Sequence, residues 1–110
     1  MSKIFELTSD GWVRHTYDAE KPVLLFSWRH PCENCIAIRT MVEELAEELS
    51  DRLSVIGLNF DQYQGLAIEF GIDRPESIIL LDEGDKVAEL IEPDSKAAIM
   101  ALVDEHFPMD

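Results

Sequence analysis

The chain is short of cysteine, glycine, proline and positive charge, and each shortage excludes something. Two cysteines, Cys32 and Cys35, cannot build the multi-bridge framework of a small secreted scaffold. Five glycines and five prolines among 110 residues are too few for a disordered or fibrous chain. Nine Lys and Arg stand against 23 Asp and Glu, a formal charge of −14. A field of that sign disfavours nucleic acid and anionic membrane as partners. No apolar run approaches the roughly 20 residues of a membrane-spanning helix. The opening MSKIFELTSD lacks the apolar stretch of a secretory leader. The expectation is a cytoplasmic monomer with neither nucleic-acid nor membrane partners. In that compartment a lone cysteine pair is more often catalytic or metal-binding than a structural staple.

What is present reads as one globular domain over 1–110. Apolar residues make up 46% of the chain, enough for a core at this length. KIFEL (3–7) suits a short strand, and Thr8 or Ser9 is placed to cap a short helix running to about Tyr17. VLLFSW (23–28) is an apolar run without alternation, as expected of a strand covered on both faces. Ile38, Met41, Val42, Leu45 and Leu49 recur at helical spacing over 33–50. RLSVIGLNF (52–60) is β-rich, and QGLAIEFG (64–71) reads as a short helix stopped by Gly71. SIILLD (77–82) and KVAELIE (86–92) are strands joined through Glu83, Gly84 and Asp85. The last helix spans 94–107, with Asp94 or Ser95 at its start. The order β-α-β-α-β-α-β-β-α implies an α/β fold, a central mixed sheet flanked by helices on both faces.

The cysteines fall where the buried strand ends and the long helix begins. A Cys at a helix N-terminus feels the positive end of the macrodipole and nearby unpaired N–H groups, which favour the thiolate. The thiolate is the nucleophile of disulfide exchange, and a second Cys one turn deeper can close a disulfide and release a mixed-disulfide partner. The same pair is open to two other readings, half of a metal site or a redox-silent remnant.

Three features together resemble the thioredoxin family over nearly the whole chain. They are Trp28 four residues before Cys32, the strand–CxxC–helix junction, and LNFDQYQGLAIEFGI (58–72). The resemblance implies the thioredoxin fold and a thiol–disulfide oxidoreductase in which Cys32 attacks and Cys35 resolves. It implies no cofactor beyond the Cys32–Cys35 disulfide, protein disulfides as substrates, and a reductase partner as electron source.

The departures from that pattern lie in the mouth of the site. Trp28, Arg29, His30, Pro31, Glu33 and Asn34 surround the cysteines as tuning residues, and the usual Gly-Pro between the cysteines is Glu33-Asn34. A carboxylate at 33 disfavours ionisation of the Cys32 thiol. The buried acid and the lysine that the family usually carries fall at Phe26 and Gly57. Water, Glu33 or His30 would then accept the proton of the buried cysteine. Arg74, Pro75 and Glu76 form the facing, substrate-binding loop. Its proline stands one residue early, either as the family's cis-proline with an extra residue before the strand or as a trans proline opening it. Arg29, Arg39 and Arg74, with His30, suggest a positive rim, or three arginines that simply pair with neighbouring acids.

Other features carry bland readings. His30, Cys32 and Cys35 offer three zinc ligands, but a structural site wants four, and nothing in the spacing of His15 or His106 recommends a fourth. No metal is expected. Glu43, Glu44, Glu47 and Glu48 make an acidic block expected to be a solvated helix face. Two function classes remain: a disulfide reductase of altered tuning, and a binding module of the same fold with little or no turnover.

Overall fold

The computed structural model describes residues 4–29 and 33–107, the side chains of 33 and 34 excepted. Within them run β1 (Phe5–Glu6), α1 (Trp12–His15), β2 (Val23–Trp28), α2 (Glu33–Glu48), β3 (Ser54–Asn59), α3 (Gln64–Glu69), β4 (Ser77–Asp82), β5 (Asp85–Ile91) and α4 (Lys96–His106). The five strands form one sheet in the order β1-β3-β2-β4-β5. β1, β3 and β2 are mutually parallel, while β4 and β5 run antiparallel to their neighbours. The expected element order and mixed sheet are both present.

β2 is the middle strand, which explains its apolar run from Val23 to Phe26. Leu24 and Phe26 project into one core with Ile38, Val42 and Leu45 of α2 and Ile99 and Val103 of α4. Val23 and Leu25 project into the other, with Leu66 and Ala67 of α3 and Phe70. Alternate residues of a strand face opposite sides, so a strand sandwiched between two helical layers is buried at successive positions, here the apolar Val23 to Phe26 and the small Ser27. Full burial of a side chain such as Phe26 is worth about 1.5–3 kcal/mol.

Element ends differ from the sequence expectation where backbone geometry intervenes. The first helix begins after Gly11, in the left-handed region at φ 76°, and has no side-chain cap. The Thr8 hydroxyl is instead used locally, accepting from the Asp10 N–H at 3.3 Å. α1 ends at His15, short of Tyr17, because Thr16 leaves the helical region at φ −125° and ψ −77°. At α4 the Ser95 alternative holds: its hydroxyl accepts from the Ala98 N–H at 3.1 Å. β5 stops at Ile91 because Glu92 turns to φ 49°. The acidic face of α2 is not wholly solvated either. Lys96 of α4 reaches Glu44 at 3.1 Å and Glu48 at 2.8 Å. Those two carboxylates raise the Lys96 pKa, chiefly through its hydrogen bond to Glu48.

Candidate active site

The site is built on the C-terminal end of β2. Trp28 closes that strand, and α2 starts at Glu33. Cys35 lies in the first turn of α2, buried, and packs in the core cluster that holds Phe26 and Ile38. It is disulfide-bonded rather than a free thiol. Cys32, His30 and Pro31 lie outside the described residues, as do the side chains of Glu33 and Asn34. Ile36, the next residue of α2, is largely exposed.

The facing loop is tied to the same strand end. The Glu76 N–H donates to the Ser27 carbonyl at 2.8 Å, and the Glu92 N–H donates to the Glu76 carbonyl at 2.7 Å. Glu76 adopts φ 61°, a region disfavoured for residues with a Cβ. One left-handed residue thus stands between Pro75 and β4, at the position where the sequence has one residue more than expected. The Ser77 hydroxyl donates to the Arg74 carbonyl at 3.0 Å and fixes the turn. A cleft of about 300 Å³ runs beside α2, between Ile38 and Met41 on one wall and Glu92 and Pro93 on the other. A larger groove lies near Lys21 and Ser54, at the opposite end of the strands, away from Cys35.

Two of the three arginines of the suggested rim are paired. Arg29 meets Asp61 at 3.5 Å, and Arg39 meets Glu6 at 3.3 Å. Arg39 also turns back over the protein, its guanidinium carbon 5.1 Å from the Trp28 ring centroid and 5.4 Å from that of Phe26. Arg74 is exposed on the loop. Paired arginines were the plainer of the two sequence readings. His15 stacks on Phe5 with centroids 4.0 Å apart.

Glu6 was not anticipated from sequence. In the sheet, Glu6, Gly57 and Phe26 form one cross-strand row. Gly57 contributes no side chain to it, and the Glu6 carboxylate lies over the glycine, 2.6 Å from where a Cβ would stand. There its Oε1 accepts from the Trp28 indole Nε1–H at 2.9 Å while Oε2 takes Arg39. The signal was available in principle: an acid in a short β1 whose inward neighbours are apolar, opposite a glycine in β3. It requires knowing the register of two strands some fifty residues apart.

A family model described as thioredoxin matches residues 3–105. The chain belongs to the thioredoxin family. Its curated relatives include a thioredoxin of Chlorobaculum thiosulfatiphilum, 26% identical over 104 residues, covering 94% of this chain and 96% of that protein. A thioredoxin of Griffithsia pacifica is 27% identical over 103 residues, 94% of either chain. Among solved structures, a mutant thioredoxin from Halobacterium salinarum NRC-1 superposes with a TM-score of 0.84 at 20% identity, covering 100% of this chain and 97% of that one. The architecture is therefore the thioredoxin fold, with β2, α2 and the 74–76 loop framing the position of the cysteine motif.

Proposed function

We propose that this thioredoxin-family protein is a thiol–disulfide oxidoreductase that works in the reducing direction on protein disulfides. The observation that carries the reading is the setting of Cys35: buried, disulfide-bonded, and in the first turn of the helix that follows the central strand. Cys32 is the one other cysteine of the chain and its partner in this reading. The family membership and the thioredoxin relatives support it.

In the proposed cycle the Cys32 thiolate attacks one sulfur of a substrate disulfide. A mixed disulfide forms, and the other substrate sulfur leaves as a thiolate that takes up a proton. Cys35 then loses its proton and attacks the Cys32 sulfur. The Cys32–Cys35 disulfide closes, and the second substrate thiol is released. Two electrons have passed to the substrate, and an external dithiol reductant restores the pair. Arg74, Pro75 and Glu76 bind the substrate chain beside the sulfurs. The tuning is unusual for the family. Glu33 disfavours the Cys32 thiolate, and Phe26 and Gly57 replace the acid and lysine behind Cys35. Destabilised thiolates make a couple more reducing, by ~30 mV for every ~1.4 kcal/mol. The proposed setting is cytoplasmic and monomeric, with a reductase as electron donor and no further cofactor.

Insulin reduction driven by dithiothreitol tests the activity, with Cys32→Ser as control. The wild type is expected to accelerate precipitation of the insulin B chain well above that control. An equal rate for both proteins sinks the enzyme. Equilibration with glutathione then gives the potential, expected at the reducing end of the thioredoxin-type range.

A further inference from the structure

We propose that the Glu6–Arg39 pair is a positioning unit that sets the ionisation of Cys35 from behind the aromatic wall formed by Phe26 and Trp28. The inference rests on the dithiol reading for its functional meaning, but its geometry stands by itself. Arg39 is four residues after Cys35 on α2, and residues so spaced share a helix face with their Cβ atoms about 5–6 Å apart. Its guanidinium stacks on Phe26 and Trp28, and both rings pack with Cys35 in one cluster. The cation is thereby held against the aromatic wall that packs in the same cluster as Cys35.

Glu6 does the holding. Its carboxylate bonds Arg39 with one oxygen and Trp28 with the other, and it can do so because Gly57 leaves the space empty. Among the described residues, the cluster that holds Cys35 also takes apolar side chains from the other elements: Phe26 and Trp28 from β2, Ile78 from β4, Leu90 from β5 and Ile99 from α4. A cation near a thiol favours its thiolate, and an anion opposes it. The two charges therefore act on Cys35 in opposite directions, with Arg39 one helical turn away and Glu6 restraining it. Glu33 and His30, near Cys35 in sequence, and Glu76 at the head of β4 remain constant across the variants compared below.

The experiment titrates thiolate absorbance near 240 nm in a Cys32→Ser background, where Cys35 is the single thiol. The result is then independent of whether the pair turns over. Arg39→Met is expected to move the midpoint up by about half a pH unit or more, given charges several ångströms apart in a partly wet setting. Glu6→Gln, which keeps an acceptor for Trp28, is expected to move it down. Combining the two should return it close to the parent value. Arg39→Lys, which keeps the cation but not the planar stacking, should move the midpoint up by less than Arg39→Met does. Opposite shifts that cancel support the proposal. No shift, or shifts of the same sign in Arg39→Met, Glu6→Gln and Arg39→Lys, assigns the pair to packing alone and overturns it.

Discussion

The Glu6 carboxylate fills the volume that a side chain at position 57 would need, its Oε2 lying 2.6 Å from the place of a Gly57 Cβ. This contact links β1 to the cysteine helix, since the same carboxylate holds Trp28 and Arg39. Gly57→Ala must expel it. The clash is with the end of a flexible side chain, so it is cheaply relieved. Losing the hydrogen bond costs about 0.5–1.5 kcal/mol, and replacing glycine within a strand returns about 0.5–1 kcal/mol. The expected urea midpoint is nearly unchanged, while the Trp28 indole N–H resonance shifts in the NMR spectrum. A midpoint falling by several kcal/mol-equivalents would mean the carboxylate cannot move aside.

Gly84 presents the opposite case. It sits at φ 87°, and a Cβ there would meet the Tyr17 ring at 2.1 Å. The ring is also packed against Phe70 and Trp12, so it has less room to yield. Gly84→Ala is expected to cost about 1–3 kcal/mol from left-handed strain and displaced packing together. A thermal melt against wild type checks this, and a melting temperature unchanged within error refutes it.

Glu92 holds φ 49° at the end of β5 with its side chain exposed. Glycine adopts that region without a steric penalty, although it loses more chain entropy on folding. Glu92→Gly is expected to be stabilising by about 0.5–1 kcal/mol, and the β-branched Glu92→Val destabilising. Equilibrium unfolding in urea should order the three proteins Gly, Glu, Val from most to least stable.

The Tyr17 hydroxyl donates to Glu69 Oε2 at 2.5 Å. That bond is the main reason the Tyr17 pKa is raised above its ordinary 10.0, with burial and the charges of Glu69 and Asp85 adding to it. The bond needs the protonated phenol. Its contribution is therefore complete below the ordinary phenol pKa and disappears as pH rises through the folded one. The stability difference between wild type and Tyr17→Phe should be constant from neutral pH to about 9 and vanish in more alkaline buffer. A difference that persists unchanged there would show the hydroxyl contributes nothing through this bond.

Ser95 caps α4 through its hydroxyl. Ser95→Ala should lower stability by about 1 kcal/mol, whereas Asp94→Ala, one residue outside the cap, should be close to neutral. Reversal of that order in urea melts would place the helix start at Asp94.

Much of the fold was legible in sequence because its main signals are local. VLLFSW and SIILLD mark β2 and β4 to the residue, since strands covered on both faces are apolar over most of their length, with only the small Ser27 and Ser77 buried among them. The 3.6-residue stripe from Ile38 to Leu49 marks α2 because one helix face packs on β2 and β3. Two of the boundaries that moved lie where backbone dihedrals decide: Gly11 before α1 and Glu92 after β5. Neither has a hydrophobic pattern to announce it.

The cysteine spacing, Trp28 and the strand-to-helix junction are properties of the sequence alone, and they suffice to place the chain near the thioredoxins. Sequence also shows that Phe26 and Gly57 lack the acid and lysine expected there. Only the tertiary structure reveals what occupies that space. β1 and β3 are far apart along the chain, and their parallel pairing sets Glu6 beside Gly57. The missing side chain at 57 is then the opening through which an acid from β1 reaches Trp28 and Arg39. Local sequence fixes which faces are apolar, but a charge placed across strands depends on register, and register is set by the packing of the whole sheet.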